Sequence, residues 1–135
     1  MKARVGFTHV PEELNELSQI VVDAAFKVHK HLGPGLLEST YRLCLVHELK
    51  LRGLEVRQEV ALPINYEGLK LDAGYRADIL VNGEIIVELK ATECLLAIHQ
   101  AQLLSYLKHS NKRLGLLINF NTVLLKNGIR RIVNG

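Results

Sequence analysis

Asp78-Ile79-Leu80-Val81-Asn82-Gly83-Glu84-Ile85-Ile86-Val87-Glu88-Leu89-Lys90 is the stretch on which the fold turns. Asn82-Gly83 between two apolar runs is the strongest short-range hairpin signal, so Tyr75 to Val81 and Glu84 to Ala91 are predicted to be paired strands. Side chains alternate along a strand, which puts Glu88 and Lys90 on one face and Ile85, Val87 and Leu89 on the other. Asp78 stands on the partner strand between Ala77 and Ile79. A two-residue loop would place Asp78 opposite Val87 and break the apolar alternation. A three-residue loop with a glycine bulge gathers Asp78, Glu88 and Lys90 on one face, with Ile79, Val81, Ile85, Val87 and Leu89 opposite. Both the hydrophobic pattern and the chemistry prefer the second arrangement.

The flanking sequence is helical. Pro11 with Glu12 and Glu13 marks a helix start, the acidic first turn being favoured by the helix dipole. Leu14, Leu17, Val21, Ala24, Val28 and Leu32 then recur at three- and four-residue steps. Gly33-Pro34-Gly35 ends this helix. A second is predicted from about Leu36 to Arg52, burying Leu37, Tyr41, Cys44, Leu45 and Leu49, with Gly53 past its end. Val56 to Leu62 reads as a strand ending near Pro63, and Tyr66-Glu67-Gly68 as a turn. After the hairpin, a helix from about Leu95 to His109 leads to a short buried strand at Leu114 to Asn119, with another within Val123 to Val133. The helical crossover implies parallel pairing of Leu114–Asn119 with the hairpin. The order predicts a mixed α/β sheet with helices packed on it.

The 135 residues suit one domain spanning 1–135, large enough to bury a real core. Hydrophobic residues make up 48% and charged ones 23%, and no apolar run approaches the ~20 residues of a membrane span. Met1-Lys2-Ala3-Arg4 carries charge with no apolar block after it, so no signal peptide is expected and the cytoplasm is the default location. Cys44 and Cys94 lack the paired spacing of a zinc site and are expected to be free thiols in the core. The net charge of +3 permits a nucleic-acid partner without demanding one.

Three charged groups in an otherwise apolar hairpin have two explanations. The first is a solvated sheet face with a surface Glu–Lys pair, worth about 0–1 kcal/mol. The second is a metal site, because close carboxylates raise one another's pKa unless a cation sits between them, and Mg²⁺ prefers oxygen ligands. From the hairpin alone the two stand level.

Asp78…Glu88-Leu89-Lys90 resembles the D-x(n)-(D/E)-x-K signature of the PD-(D/E)XK nuclease superfamily, with Ala77 where the superfamily's name has Pro. Gly35-Leu36-Leu37-Glu38-Ser39-Thr40-Tyr41 matches the G-x-x-E-x-x-Y pattern of the GxxExxY protein family within it. Gln102-Leu103-Leu104-Ser105-Tyr106 matches the Q-x-x-x-Y helix that follows the signature strand in many of these nucleases. The resemblance covers about residues 15 to 133. It implies a restriction-endonuclease-like core of helix, three-stranded meander, helix and strand, with an extra N-terminal helix. It implies a catalytic set of Glu38, Asp78, Glu88, Lys90 and Gln102, in which Asp78, Glu88 and Glu38 hold Mg²⁺ or Mn²⁺ and Lys90 positions the attacking water. Arg76, Tyr106, Tyr41 and His99 become nucleic-acid contacts, Tyr41 mainly a packing residue with its hydroxyl at the site's rim. The implied activity is metal-dependent hydrolysis of phosphodiester bonds, of DNA before RNA, by a chain small enough to work as a homodimer or with a protein partner. The competing class is a non-catalytic nucleic-acid-binding or regulatory module that keeps the fold. A small-molecule enzyme lacks support, since there is no glycine-rich phosphate loop, nucleophile elbow or cofactor fingerprint.

Overall fold

A computed structural model describes residues 9–135, the side chains of 73 and 74 aside. The reading of Met1 to Arg4 falls outside the described residues. Helix α1 spans Glu12–Leu32 and α2 Glu38–Leu51; strands β1 (Val56–Tyr66), β2 (Leu69–Val81) and β3 (Ile85–Lys90) form the meander. Helix α3 (Ala97–Ser110) crosses to β4 (Leu114–Asn119), and a 3₁₀ turn at Leu125–Gly128 leads into β5 (Ile129–Val133). The five strands lie in chain order, antiparallel except for the β3–β4 pair, which the α3 crossover makes parallel as expected. None of the described helices is long and apolar enough to cross a membrane.

The sheet is covered on both faces. Leu14, Leu17, Val21 and Val28 of α1 and Leu45 and Leu49 of α2 pack on Ile79, Val81, Ile85, Val87, Leu89, Leu116 and Ile118. On the other face, Leu103 and Leu107 of α3 pack on Leu80, Ile86 and Leu117. The hairpin takes the even register: Val81 pairs with Ile85 and Ile79 with Val87, across the three-residue loop Asn82-Gly83-Glu84. Asn82 and Gly83 both adopt positive φ, and Asn82 Oδ1 accepts the Glu55 N–H. The apolar face named from sequence is the one buried beneath α1 and α2.

Four expectations are corrected. β1 passes Pro63 and continues to Tyr66, because a register shift between Leu62 and Ile64 accommodates the residue that has no N–H to give the ladder. β2 accordingly starts at Leu69 rather than Tyr75, across a turn at Glu67-Gly68. Leu37 is not buried: it precedes the first residue of α2 and is 74% exposed. Cys94 is exposed and Cys44 half-buried, so the thiols are free as expected but Cys94 is not in the core.

Midway along the meander, both β1 and β2 exchange faces. Val56 packs with the α1–α2 layer, whereas Val60 and Leu62, of the same parity, pack with the α3 layer. On β2, Ile79 and Val81 face α1 and α2, whereas Tyr75 and Ala77 face α3. The exchange centres on Glu59, which takes a φ of 49°, and on Asp78, the residue opposite it in the register. A positive φ, unusual for a non-glycine residue, rotates the strand and resets its alternation.

Candidate active site

Asp78 lies where the meander opens. The β2–β3 ladder ends at Ile79–Val87, and beyond it the two carboxylates take over the backbone's hydrogen bonding. Glu88 Oε1 accepts the Asp78 N–H at 3.1 Å, and Asp78 Oδ2 accepts the Leu89 N–H at 2.9 Å. A buried amide without a partner is costly, so each carboxylate is held in place by the strand opposite its own. The Tyr75 hydroxyl also donates to Glu88 Oε1. Tyr75 in turn stacks on Tyr106 of α3.

Electrostatics mark this pair as strained without a counter-charge. Glu88 is only 8% exposed, and its carboxyl is pushed up to about 8, first by burial and then by the charge of Asp78. Two hydrogen bonds to its charged form, from Tyr75 and the Asp78 N–H, pull the other way and do not prevail. Tyr75 is driven far above the ordinary phenol range by burial and by Glu88, so its hydroxyl stays protonated and remains a donor. Tyr106 is raised by burial and by the same two carboxylates.

Glu38, on α2, feels the charge of the cluster without joining it. It opens that helix, after a loop in which Gly33 and Gly35 take φ of 69° and 99°. Tyr41 holds the loop closed: its hydroxyl donates to the Gly33 carbonyl at 2.6 Å and accepts the Leu36 N–H at 3.1 Å. Its ring is fully buried and stacks on Phe120 at 4.6 Å. The G-x-x-E-x-x-Y spacing thus has a mechanical sense: Gly35 allows the turn, Tyr41 locks it, and Glu38 is set at the first turn. The Glu38 carboxyl is raised by partial burial and then by Asp78, and lowered by Lys90 and Arg42, so it senses both hairpin charges. Lys90 is half-buried at the end of β3 and, among the described residues, makes no ion pair.

The other expected residues divide. Tyr41 is fully buried, the packing residue expected, and its hydroxyl is engaged by the Gly33–Leu36 loop. His99 caps α3, its Nδ1 accepting the Leu96 N–H at 3.0 Å, which leaves only Nε2 to face outward. Gln102 is exposed one turn before Tyr106 on α3 and has no hydrogen-bond partner among the described residues. Arg76 is exposed on β2, within 3.5 Å of the Glu59 carbonyl. Neither is drawn into the carboxylate cluster.

Two positioning residues escaped the sequence reading. Tyr75 by strict alternation belongs with Ile79 on the opposite face, and only the exchange at Asp78 brings it to Glu88. Asn119, at register with Lys90, is 3% exposed and clamps the chain after β3. Its Oδ1 accepts from the Thr92 and Asn121 N–H groups and its Nδ2 donates to the Thr92 carbonyl. A polar residue closing an apolar strand, Leu114-Gly115-Leu116-Leu117-Ile118-Asn119, was the available signal.

The donor set fits a hard divalent cation. One oxygen of each hairpin carboxylate is committed to backbone, while Asp78 Oδ1 and Glu88 Oε2 are left to a shared proton or to a cation. Among the described residues, however, no three acidic, histidine or cysteine groups converge to metal-binding distance, so Glu38 stands outside the pair. A mixed sheet between helical layers, with a split hairpin carrying acid, acid and lysine, defines a restriction-endonuclease-like nuclease fold. Residues 15–132 match the family model of the PD-(D/E)XK nuclease superfamily, and the chain belongs to that superfamily. No curated protein and no solved structure matches it. Membership implies a nucleic-acid substrate and, in general, dependence on a divalent metal.

Proposed function

We propose that the chain is a Mg²⁺- or Mn²⁺-dependent nuclease of the GxxExxY type that hydrolyses phosphodiester bonds, of DNA in preference to RNA. The observation that carries this reading is the Asp78–Glu88 pair, pinned by backbone amides in the split of β2 and β3 with Lys90 beside it. A relic without turnover would have no reason to retain a buried carboxylate whose ionisation the fold itself opposes.

Asp78 Oδ1 and Glu88 Oε2 would hold the ion, with Glu38 in reserve at the outer side. When bound, the ion polarises the scissile phosphate and makes water more acidic. Lys90, without an ion pair among the described residues, orients a water by hydrogen bonding and sets its positive charge beside the phosphate as negative charge develops there. Asn119 and Thr92 hold the end of β3, and with it the Lys90 backbone, against drift. Gln102, exposed one turn from Tyr106, would offer an amide to a phosphate oxygen, and the exposed Arg76 and the Nε2 of His99 would contact the nucleic-acid backbone.

The test is cleavage of single- and double-stranded DNA and of RNA with Mg²⁺, Mn²⁺ or chelator, by wild type, Asp78→Ala and Lys90→Ala. We expect metal-dependent cleavage by wild type and a loss of at least ~100-fold in each variant. Equal activity in all three proteins, or none in wild type over all substrates, would sink the reading.

A further inference from the structure

We infer that Tyr75 is a positioning residue that limits Glu88 to a single free oxygen, and that the site thereby favours small octahedral dications over Ca²⁺. This inference rests on the metal-binding reading above and deepens it. A carboxylate oxygen offers about two lone-pair sites. Both sites of Glu88 Oε1 are taken, one by the Tyr75 hydroxyl and one by the Asp78 N–H. Only Oε2 remains, so Glu88 can bind a cation through one oxygen and not two. The fit differs sharply between ions: Mg²⁺ and ions of similar size accept single oxygens and keep several waters, whereas Ca²⁺ takes six to eight oxygens and gains from a bidentate carboxylate.

The hydroxyl is held in this role from behind. The half-buried Tyr75 ring packs against the α3-side core of Leu62, Ala77 and Leu80 and stacks on Tyr106, which backs its hydroxyl toward Glu88. Glu88 is itself 8% exposed, which leaves little space for its carboxylate to rotate and present both oxygens. Asp78 is less restricted, since its Oδ2 accepts one bond, from the Leu89 N–H, and keeps a site open. The selectivity therefore resides at Glu88 and depends on one phenolic oxygen.

Tyr75→Phe removes that oxygen and keeps the ring stacked on Tyr106. The experiment is calorimetric titration of the metal-free protein with Mn²⁺ and with Ca²⁺, on wild type and Tyr75→Phe, with thermal melts confirming that both are folded. We expect wild type to bind Mn²⁺ at least ~10-fold more tightly than Ca²⁺, and that preference to fall by about 5–10-fold in Tyr75→Phe as Ca²⁺ gains the second oxygen. If Tyr75 were only a packing residue, both affinities would drop together and their ratio would hold, which overturns the inference and leaves the metal reading intact. Wild type that binds neither ion overturns both. A measurement that leaves Tyr75 in place is infrared difference spectroscopy of wild type on adding Mn²⁺, with Glu88→Gln to assign the band. Carboxylate stretches of the bidentate pattern at Glu88 would also refute the inference, and those of the monodentate pattern support it.

Discussion

Replacing Glu88 by Gln should make the metal-free protein more stable at alkaline pH while removing its ability to bind a dication. The Glu88 carboxyl is displaced from 4.5 to about 8, chiefly by burial. At ~1.4 kcal/mol per pH unit this bounds the cost of ionising it in the folded state at about 5 kcal/mol. Part of that is recovered elsewhere, because Asp78 shares the proton and a glutamine oxygen accepts more weakly from Tyr75 and the Asp78 N–H. A gain of about 2–3 kcal/mol is therefore expected. The sign follows from proton linkage. A carboxyl whose pKa is higher folded than unfolded binds more protons in the native state, so its contribution is full below about 4.5 and is lost as pH rises through about 8. Glu38 is raised by the same causes and acts in the same direction. For a chain of this length each kcal/mol is worth roughly 3–4 °C. In chelator, melts followed by circular dichroism should show Glu88→Gln about 6–12 °C above wild type at pH 8.5 and within ~2 °C of it at pH 4.5. Mn²⁺ should then raise the wild-type midpoint at pH 8.5 and leave the variant's unchanged. An offset that is the same at both pH values, or a variant less stable than wild type at pH 8.5, would refute the claim that the fold opposes this charge.

Deleting Glu84 shortens the hairpin loop to two residues and shifts β3 by one position, which turns Glu88 and Lys90 toward the α1–α2 core; we expect a protein that does not fold, scored by loss of the far-ultraviolet and thermal signals. Tyr41→Phe keeps the stack on Phe120 but frees the Gly33 carbonyl and Leu36 N–H, so a loss of ~1–2 kcal/mol in urea melts should accompany weaker cleavage as Glu38 loses its setting. Gly128→Ala drives a Cβ into the Asn119 carbonyl oxygen, a backbone atom that cannot give way, and should cost at least ~2 kcal/mol. Gly115→Ala meets only the Leu103 side chain, at 3.0 Å, and should cost less in the same melts.

The period-two pattern of the hairpin was sufficient to predict its register, because a slip by one residue would have exchanged the buried Ile79, Val81, Ile85, Val87 and Leu89 for charged groups. Helix α1 was equally legible, since its apolar stripe repeats with the helical period and its burial follows that stripe. The extension of β1 past Pro63 was not, because a bulge that absorbs a proline leaves no mark in local propensity. Leu37 misled for a related reason: its apolar character says nothing about whether the helix begins before or after it.

For the site, the residue types Asp78, Glu88, Lys90 and Glu38 and their chain order were determined by the sequence, since strand parity and the motif spacings are local properties. Tertiary structure alone decided what surrounds them. The exchange of faces at Glu59 and Asp78 carried Tyr75 to Glu88, against its parity. The stack on Phe120 fixed where the buried Tyr41 ring lies and turned its hydroxyl, expected at the site's rim, into the lock of the Gly33–Leu36 loop. Burial beneath α3 and the nearness of Asp78 raised the Glu88 carboxyl. Each depends on which distant segments meet, and so on the balance of packing and desolvation over the whole fold, which no local pattern of residues encodes.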